Sequence, residues 1–202
     1  ERAVIKLRKA DRVTFNDLVI DATGTGTFGY GVQLFNDADS NTINNCTIQC
    51  NPTSTSTQYA GIIVNVLENG TTNTGNTFCD NNTFSGNIIN GGYYGITLVG
   101  GTTTTTTPVL NNRITGNTIL DFYQYGIYIT GTSNTLVESN FISRPSRTVL
   151  TNFFGVFSTG FSSGLTVSKN RVTNPFGGNP AATNIFYGIN FNNTDGISGA
   201  EN

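Results

Sequence analysis

The chain carries twelve carboxylates, ten Lys or Arg side chains and three cysteines, but no histidine. The missing imidazole removes the commonest general base and the commonest metal ligand, so His-based mechanisms are excluded. Cys46, Cys50 and Cys79 lack CxxC spacing and any His to complete a zinc site. A disulfide from Cys79 to Cys46 or Cys50, and three buried or loop thiols, are both compatible with the spacing. The remaining groups capable of chemistry are carboxylates placed near cations. Asp37 and Asp39 fall in the corner corresponding to Arg8 and Lys9 one repeat earlier, Asp121 lies in register with Arg144 or Arg147, and Glu138 lies near Lys169. The plainer expectation is a set of ion pairs between stacked loops, each contributing about 0 to 1 kcal/mol when exposed. An Asp121/Arg147 catalytic pair is the sharper alternative, and no catalytic residue, metal ligand or cofactor site is assigned.

The aromatic residues are the better candidates for binding. Tyr128 and Phe157 occupy matching positions in successive repeats, with Phe122, Tyr123 and Phe153 in the segments leading into them. Tyr123, Tyr128, Phe153 and Phe157 are therefore expected to form an aromatic patch on which sugar rings could stack, the alternative being that they pack against neighbouring loops or against one another. Six consecutive threonines, Thr102 to Thr107, closed by Pro108, read as an exposed low-complexity loop. Sequons at Asn45, Asn69, Asn81 and Asn192 carry little weight in a chain with 28 Asn and 33 Thr.

A repeat positions these residues. One strand recurs as Tyr30-Gly31-Val32-Gln33-Leu34, Tyr94-Gly95-Ile96-Thr97-Leu98, Tyr125-Gly126-Ile127-Tyr128-Ile129, Phe154-Gly155-Val156-Phe157 and Tyr187-Gly188-Ile189-Asn190-Phe191. Ala60-Gly61-Ile62-Ile63-Val64 is a variant, and these glycines lie 29 to 34 residues apart. A period of this size signals a stacked-repeat architecture. A second block follows each first strand, an apolar residue, an Asn three positions on and an apolar residue two further in Phe84/Asn87/Ile89, Ile114/Asn117/Ile119, Val137/Asn140/Ile142 and Val167/Asn170/Val172, with Phe15/Leu18/Ile20 and Ile43/Cys46/Ile48 as variants. Alternation places the flanking apolar residues inside and the middle one outside. Asn87, Asn117, Asn140 and Asn170 are expected to stack as a ladder at one corner, because Asn tolerates left-handed backbone and its amide can bond to the coils on either side. Asn65 to Asn82 and Gly100 to Asn112 are insertions expected to bulge as loops.

Composition narrows the class. The net charge is −2 and only 11% of residues are charged, although Arg2, Lys6, Arg8, Lys9 and Arg12 crowd the first twelve positions. No basic stripe runs along a face, which argues against nucleic-acid binding, and no apolar run is long enough for a membrane helix. Glu1 opens almost directly on a strand-like segment, as expected of a single domain spanning 1–202 cut from a longer chain.

The GIxI strands and NxIxxNxI blocks resemble the right-handed parallel β-helix repeats of secreted proteins. The opening AVIKLRKADRVTFNDLVID is similar to the start of such domains in large surface proteins of Bacteroidota-type bacteria. The resemblance runs from about Val4 to Phe191 and implies an all-β, three-sided right-handed solenoid of six to seven coils, outside the cell or on its surface. In the enzymes of this fold it also implies a polysaccharide groove along the first strand, equipped with Asp and basic residues and sometimes calcium. Here the outward column is Lys6, Gln33, Ile63, Thr97, Tyr128, Phe157 and Asn190, with no carboxylate. Glycoside hydrolysis needs two carboxyl groups about 5 to 9.5 Å apart, and bound calcium needs carboxylate ligands. The expectation is therefore a structural or adhesive module whose open coil ends meet other domains or copies of itself, as in a filament, with glycan contact through the aromatic patch. A polysaccharide lyase or hydrolase is the alternative. The tail Asp195 to Asn202 is expected to hold no capping helix.

Overall fold

A computed structural model describes residues 2–194, and all of its regular structure is β-strand. Ala3–Arg8, Gly29–Phe35, Tyr59–Val64, Tyr94–Val99, Tyr125–Thr130, Phe153–Thr159 and Phe186–Asn192 form one seven-stranded sheet, paired in that order. A second sheet of six runs from Thr14–Asn16 to Thr166–Ser168, and a third of six from Val19–Ala22 to Arg171–Thr173. Every pairing is parallel and joins consecutive turns of chain, so the molecule is a three-sided parallel β-solenoid of six coils plus the first strand of a seventh. The expected tail without a cap lies outside the described residues.

Strand register follows the repeat. Lys6, Gln33, Ile63, Thr97, Tyr128, Phe157 and Asn190 pair in one continuous column. The flanking Val32, Leu34, Ile62, Val64, Ile96, Leu98, Ile127 and Ile129 are buried in a single core with Ile43, Phe84, Ile114 and Val137 of the second sheet and Ile48, Ile89, Ile119 and Ile142 of the third. The glycine before each apolar pair lies within its strand, where successive coils approach closely. A Cβ on Gly31 or Gly61 would lie 2.6 Å from the carbonyl oxygen of the glycine one coil on, so no side chain fits there. The preceding aromatic lies outside the core: Tyr30 and Tyr94 cluster with Ile63 and Tyr128.

The Asn ladder takes the form expected. The backbone N–H and the Nδ2 of Asn87 both donate to Asn117 Oδ1 (3.0 and 2.9 Å), those of Asn117 to Asn140 Oδ1 (2.9 and 3.0 Å), and those of Asn140 to Asn170 Oδ1 (both 2.9 Å). Each Nδ2 also reaches back to a carbonyl, from Ile43, Phe84, Ile114 and Val137 in turn. Cys46 begins the row: its N–H donates to Asn87 Oδ1 at 2.9 Å, and its thiol faces Phe15 O, where the amide of an Asn would point. A second ladder, not anticipated, runs through Asn41, Asn82 and Asn112 at the neighbouring corner. Val13, Asn41 and Asn82 donate their N–H groups to Asn41, Asn82 and Asn112 Oδ1, each at 2.9 Å. The five-residue spacing in Asn82/Asn87 and Asn112/Asn117 was its signal.

Both ends of the described solenoid present apolar side chains to solvent, Val4, Leu18 and Val19 on the first coil and Ile189 and Phe191 on the last strand. All three cysteines are free and buried, so neither candidate disulfide forms.

Candidate functional site

The outward face of the seven-stranded sheet is not uniformly open. Gln33, Ile63 and Thr97, expected to face solvent, are fully buried. The cause is the first insertion, whose residues 65–78 fold back across the face. Gln33 Nε2 donates to the carbonyls of Leu67 (3.4 Å) and Glu68 (3.0 Å), and Lys6 Nζ pairs with Glu68 Oε1 at 2.5 Å. Thr71 Oγ1 donates to Thr57 O at 3.0 Å, and Thr72 sits against the Tyr94 hydroxyl. The pairing with Lys6 holds the Glu68 carboxyl below its usual range.

Beyond this cover the face is aromatic in two rows. Tyr94, Tyr125, Phe154 and Tyr187, the residues preceding the strand glycines, form a stacked column with centroid spacings of 5.4, 5.0 and 5.3 Å and interplanar angles of 11°, 19° and 18°. Tyr128 and Phe157 form the second row, 5.6 Å apart and inclined at 35°. Tyr128 stands at 86° to Tyr125, and Phe157 at 68° to Phe154. Both faces of Tyr125 and Phe154 are occupied by stacked neighbours, so these rings meet the second row with their edges, the positive rim of the ring quadrupole. Tyr128 and Phe157 thus rest on those edges by one face. Both are partly solvent-exposed, as Tyr125 and Phe154 are, and together they form a two-ring patch.

Tyr123 and Phe153 end up in different places. Tyr123 joins the rim of the platform through Tyr93, with ring centroids 5.4 Å apart, and Tyr93 in turn lies 6.2 Å from Tyr125. Phe153 does not join it: its ring is fully buried in the core against Phe122, because the segment before Phe154 turns inward beneath a buried arginine. The signal for this column in the sequence is the aromatic that recurs before glycine, Tyr94, Tyr125, Phe154 and Tyr187. Burial raises the phenols of Tyr93, Tyr94, Tyr125 and Tyr128 above their ordinary value, so all four stay neutral at physiological pH. Polar edges are supplied by Gln124, which accepts from the Tyr93 hydroxyl and donates to Tyr125 Oη at 3.4 Å.

The charged candidates are used up in holding loops. Arg144 Nε donates to Pro175 O at 2.7 Å and Nη2 to Thr151 O at 2.9 Å, with Nη1 on Tyr123 O. Burial, reinforced by the nearby Arg147, lowers Arg144 to about 10. Arg147 donates to Val149 O (3.1 Å), Asp121 O (3.1 Å) and Ser54 O (2.7 Å), with Tyr123 beneath its guanidinium. The Asp121 carboxylate accepts instead from the N–H groups of Ser146 (2.9 Å) and Arg147 (3.0 Å) and from the Ser146 hydroxyl. The expected side-chain pair between Asp121 and Arg144 or Arg147 is thus replaced by backbone anchoring, beside a cleft of about 200 Å³ lined by Asn90, Asp121, Arg147 and Val149.

Asp37 and Asp39 form no ion pair with Arg8 or Lys9 among the described residues. Asp39 N–H donates to Asp11 Oδ1 (2.9 Å), Asp80 N–H to Asp39 Oδ1 (2.6 Å) and Leu110 N–H to Asp80 Oδ1 (2.7 Å), so the acids act as backbone acceptors in a ladder of their own. Desolvation, and then their like-charged neighbours, raise Asp39 and Asp80. Glu138 and Lys169 do pair, at 3.0 Å. No group of His, Cys, Asp or Glu suited to a metal ion occurs among the described residues.

Fold and face together define a parallel β-solenoid whose seven-stranded sheet carries an aromatic patch on its outward face. No family model matches the chain, and no curated protein matches it. A solved structure described as a glycoside hydrolase aligns with 94% of this chain at 13% identity and a TM-score of 0.48. The chain spans 38% of that structure's length.

Proposed function

We propose that this chain is a glycan-contacting β-helix module without a catalytic centre of its own, a structural or adhesive part of a secreted or surface-displayed protein. The observation that carries the reading is the Tyr128/Phe157 platform: two neighbouring rings whose inner faces rest on the edges of a rigid stacked column. A platform fixed by its own neighbours loses little side-chain entropy when a sugar ring stacks on it. The apolar coil ends are the surfaces this reading assigns to neighbouring domains or to further copies in a filament. The lyase or hydrolase alternative needs carboxylates converging on one groove, whereas Asp39, Asp80 and Asp121 accept backbone N–H groups.

The test is carbohydrate retention by wild type and by the Tyr128→Ala/Phe157→Ala double variant, with thermal melting of both. Retention lost in the double variant is expected, with a cooperative melting transition, lowered by the missing ring contacts, showing that the variant is still folded. Release of reducing ends or unsaturated products from any polysaccharide, with or without calcium, would overturn the non-catalytic reading.

A further inference from the structure

The same face specifies what kind of glycan it accepts. Around Tyr128 and Phe157 the neighbours are Tyr94, Thr97, Tyr125 and Phe154 on the strands and Asn190 one coil further. None is charged. The nearest cation in the outward column is Lys6, four coil steps from Tyr128 and therefore roughly 19 Å away at about 4.8 Å per step. That is more than twice the Debye length of about 8 Å at physiological ionic strength, and Lys6 is paired with Glu68 besides. Arg144 and Arg147, the cations nearest Tyr123, are buried with their N–H groups on carbonyls.

A carboxylate or sulfate placed over this platform would shed water without meeting a counter-charge, and the faces of the rings carry negative potential. A sugar presenting C–H groups to the ring faces and hydroxyls to Gln124 and Asn190 incurs neither cost. We propose that the ligand of this face is an uncharged polysaccharide and that uronic-acid and sulfated polymers are excluded from it. The inference rests on the platform reading above and adds the ligand's charge class.

Native electrophoresis through gels cast with neutral polymers (mixed-linkage β-glucan, xyloglucan, galactomannan) or acidic ones (polygalacturonate, alginate) tests both at once, for wild type and Tyr128→Ala/Phe157→Ala, at low and high salt. The expected result is retardation by a neutral polymer, insensitive to salt and lost in the double variant, with free migration through the acidic gels. Retardation by an acidic polymer that the double variant abolishes would overturn the charge class and leave the platform standing. Retardation that survives the double substitution, or none in any gel, would overturn the platform and this inference together.

Discussion

Tyr125 presents its edge to Tyr128: the rings stand at 86° with centroids 5.3 Å apart, because stacking on Tyr94 and Phe154 has already taken both faces of Tyr125. The two tyrosines share a sheet face: one is clamped between stacked rings, and the other is the ring that the proposed function assigns to a ligand. Tyr125→Ala should therefore destabilise more than Tyr128→Ala: it removes two face stacks besides its contacts with Tyr128 and Phe157, against the contacts of Tyr128 with Tyr94, Tyr125 and Phe157, each ring pair contributing about 0.5 to 1.5 kcal/mol. Chemical denaturation of both variants checks this, and equal losses would mean that the two rings are not divided in this way.

The Asn ladder should be the most sensitive polar feature. Asn117→Ala removes the acceptor for the Asn87 N–H and the donor to Phe84 O, both in a buried corner. Each orphaned group costs about 1 to 3 kcal/mol, so a loss of about 3 kcal/mol or more is expected in equilibrium unfolding. Cys46→Asn should go the other way, extending the ladder toward Phe15 O with no loss of stability. A strongly destabilised Cys46→Asn would show that the site cannot admit the amide.

The thiols should be inert in the folded protein. Burial pushes Cys50 up to about 12 and Cys79 to about 11, and thiolate, not thiol, is the reacting form. Thiol titration should find three reactive groups after denaturation without reductant and almost none before. Fewer than three in the unfolded chain would indicate a disulfide.

The acid ladder sets a pH dependence. Asp39 and Asp80 hold protons more tightly in the folded state than in the unfolded chain, so the stability they add is complete below the unfolded value of about 3.9 and is lost as pH rises through the higher folded value. At pH 7 the two charges repel. Asp80→Asn retains an oxygen for the Leu110 N–H and removes one charge, which should stabilise by roughly half a kcal/mol after solvent screening. Melting temperatures across pH should show the gain at pH 7 and its disappearance below about pH 4. A gain that persists in acid would point to a packing effect rather than to charge.

Sequence alone determined the solenoid, because period-2 alternation, strand glycines and the Asn positions are local requirements repeated in every coil. Ile127 and Ile129 had to face inward, and Asn140 had to stack on its counterparts, whatever the loops did. The second ladder was equally legible, but Asn41, Asn82 and Asn112 were lost among 28 asparagines. Only the tertiary structure decided which part of the sheet face is open. The covering of Gln33, Ile63 and Thr97 by residues 65–78 depends on long-range contacts such as Lys6 with Glu68, which no repeat pattern encodes. The same holds for the burial of Phe153 and for the spending of Asp121, Arg144 and Arg147 on backbone groups. Where an irregular segment lies is fixed by the partners its polar atoms find across coils, and those partners become neighbours only when the coils stack.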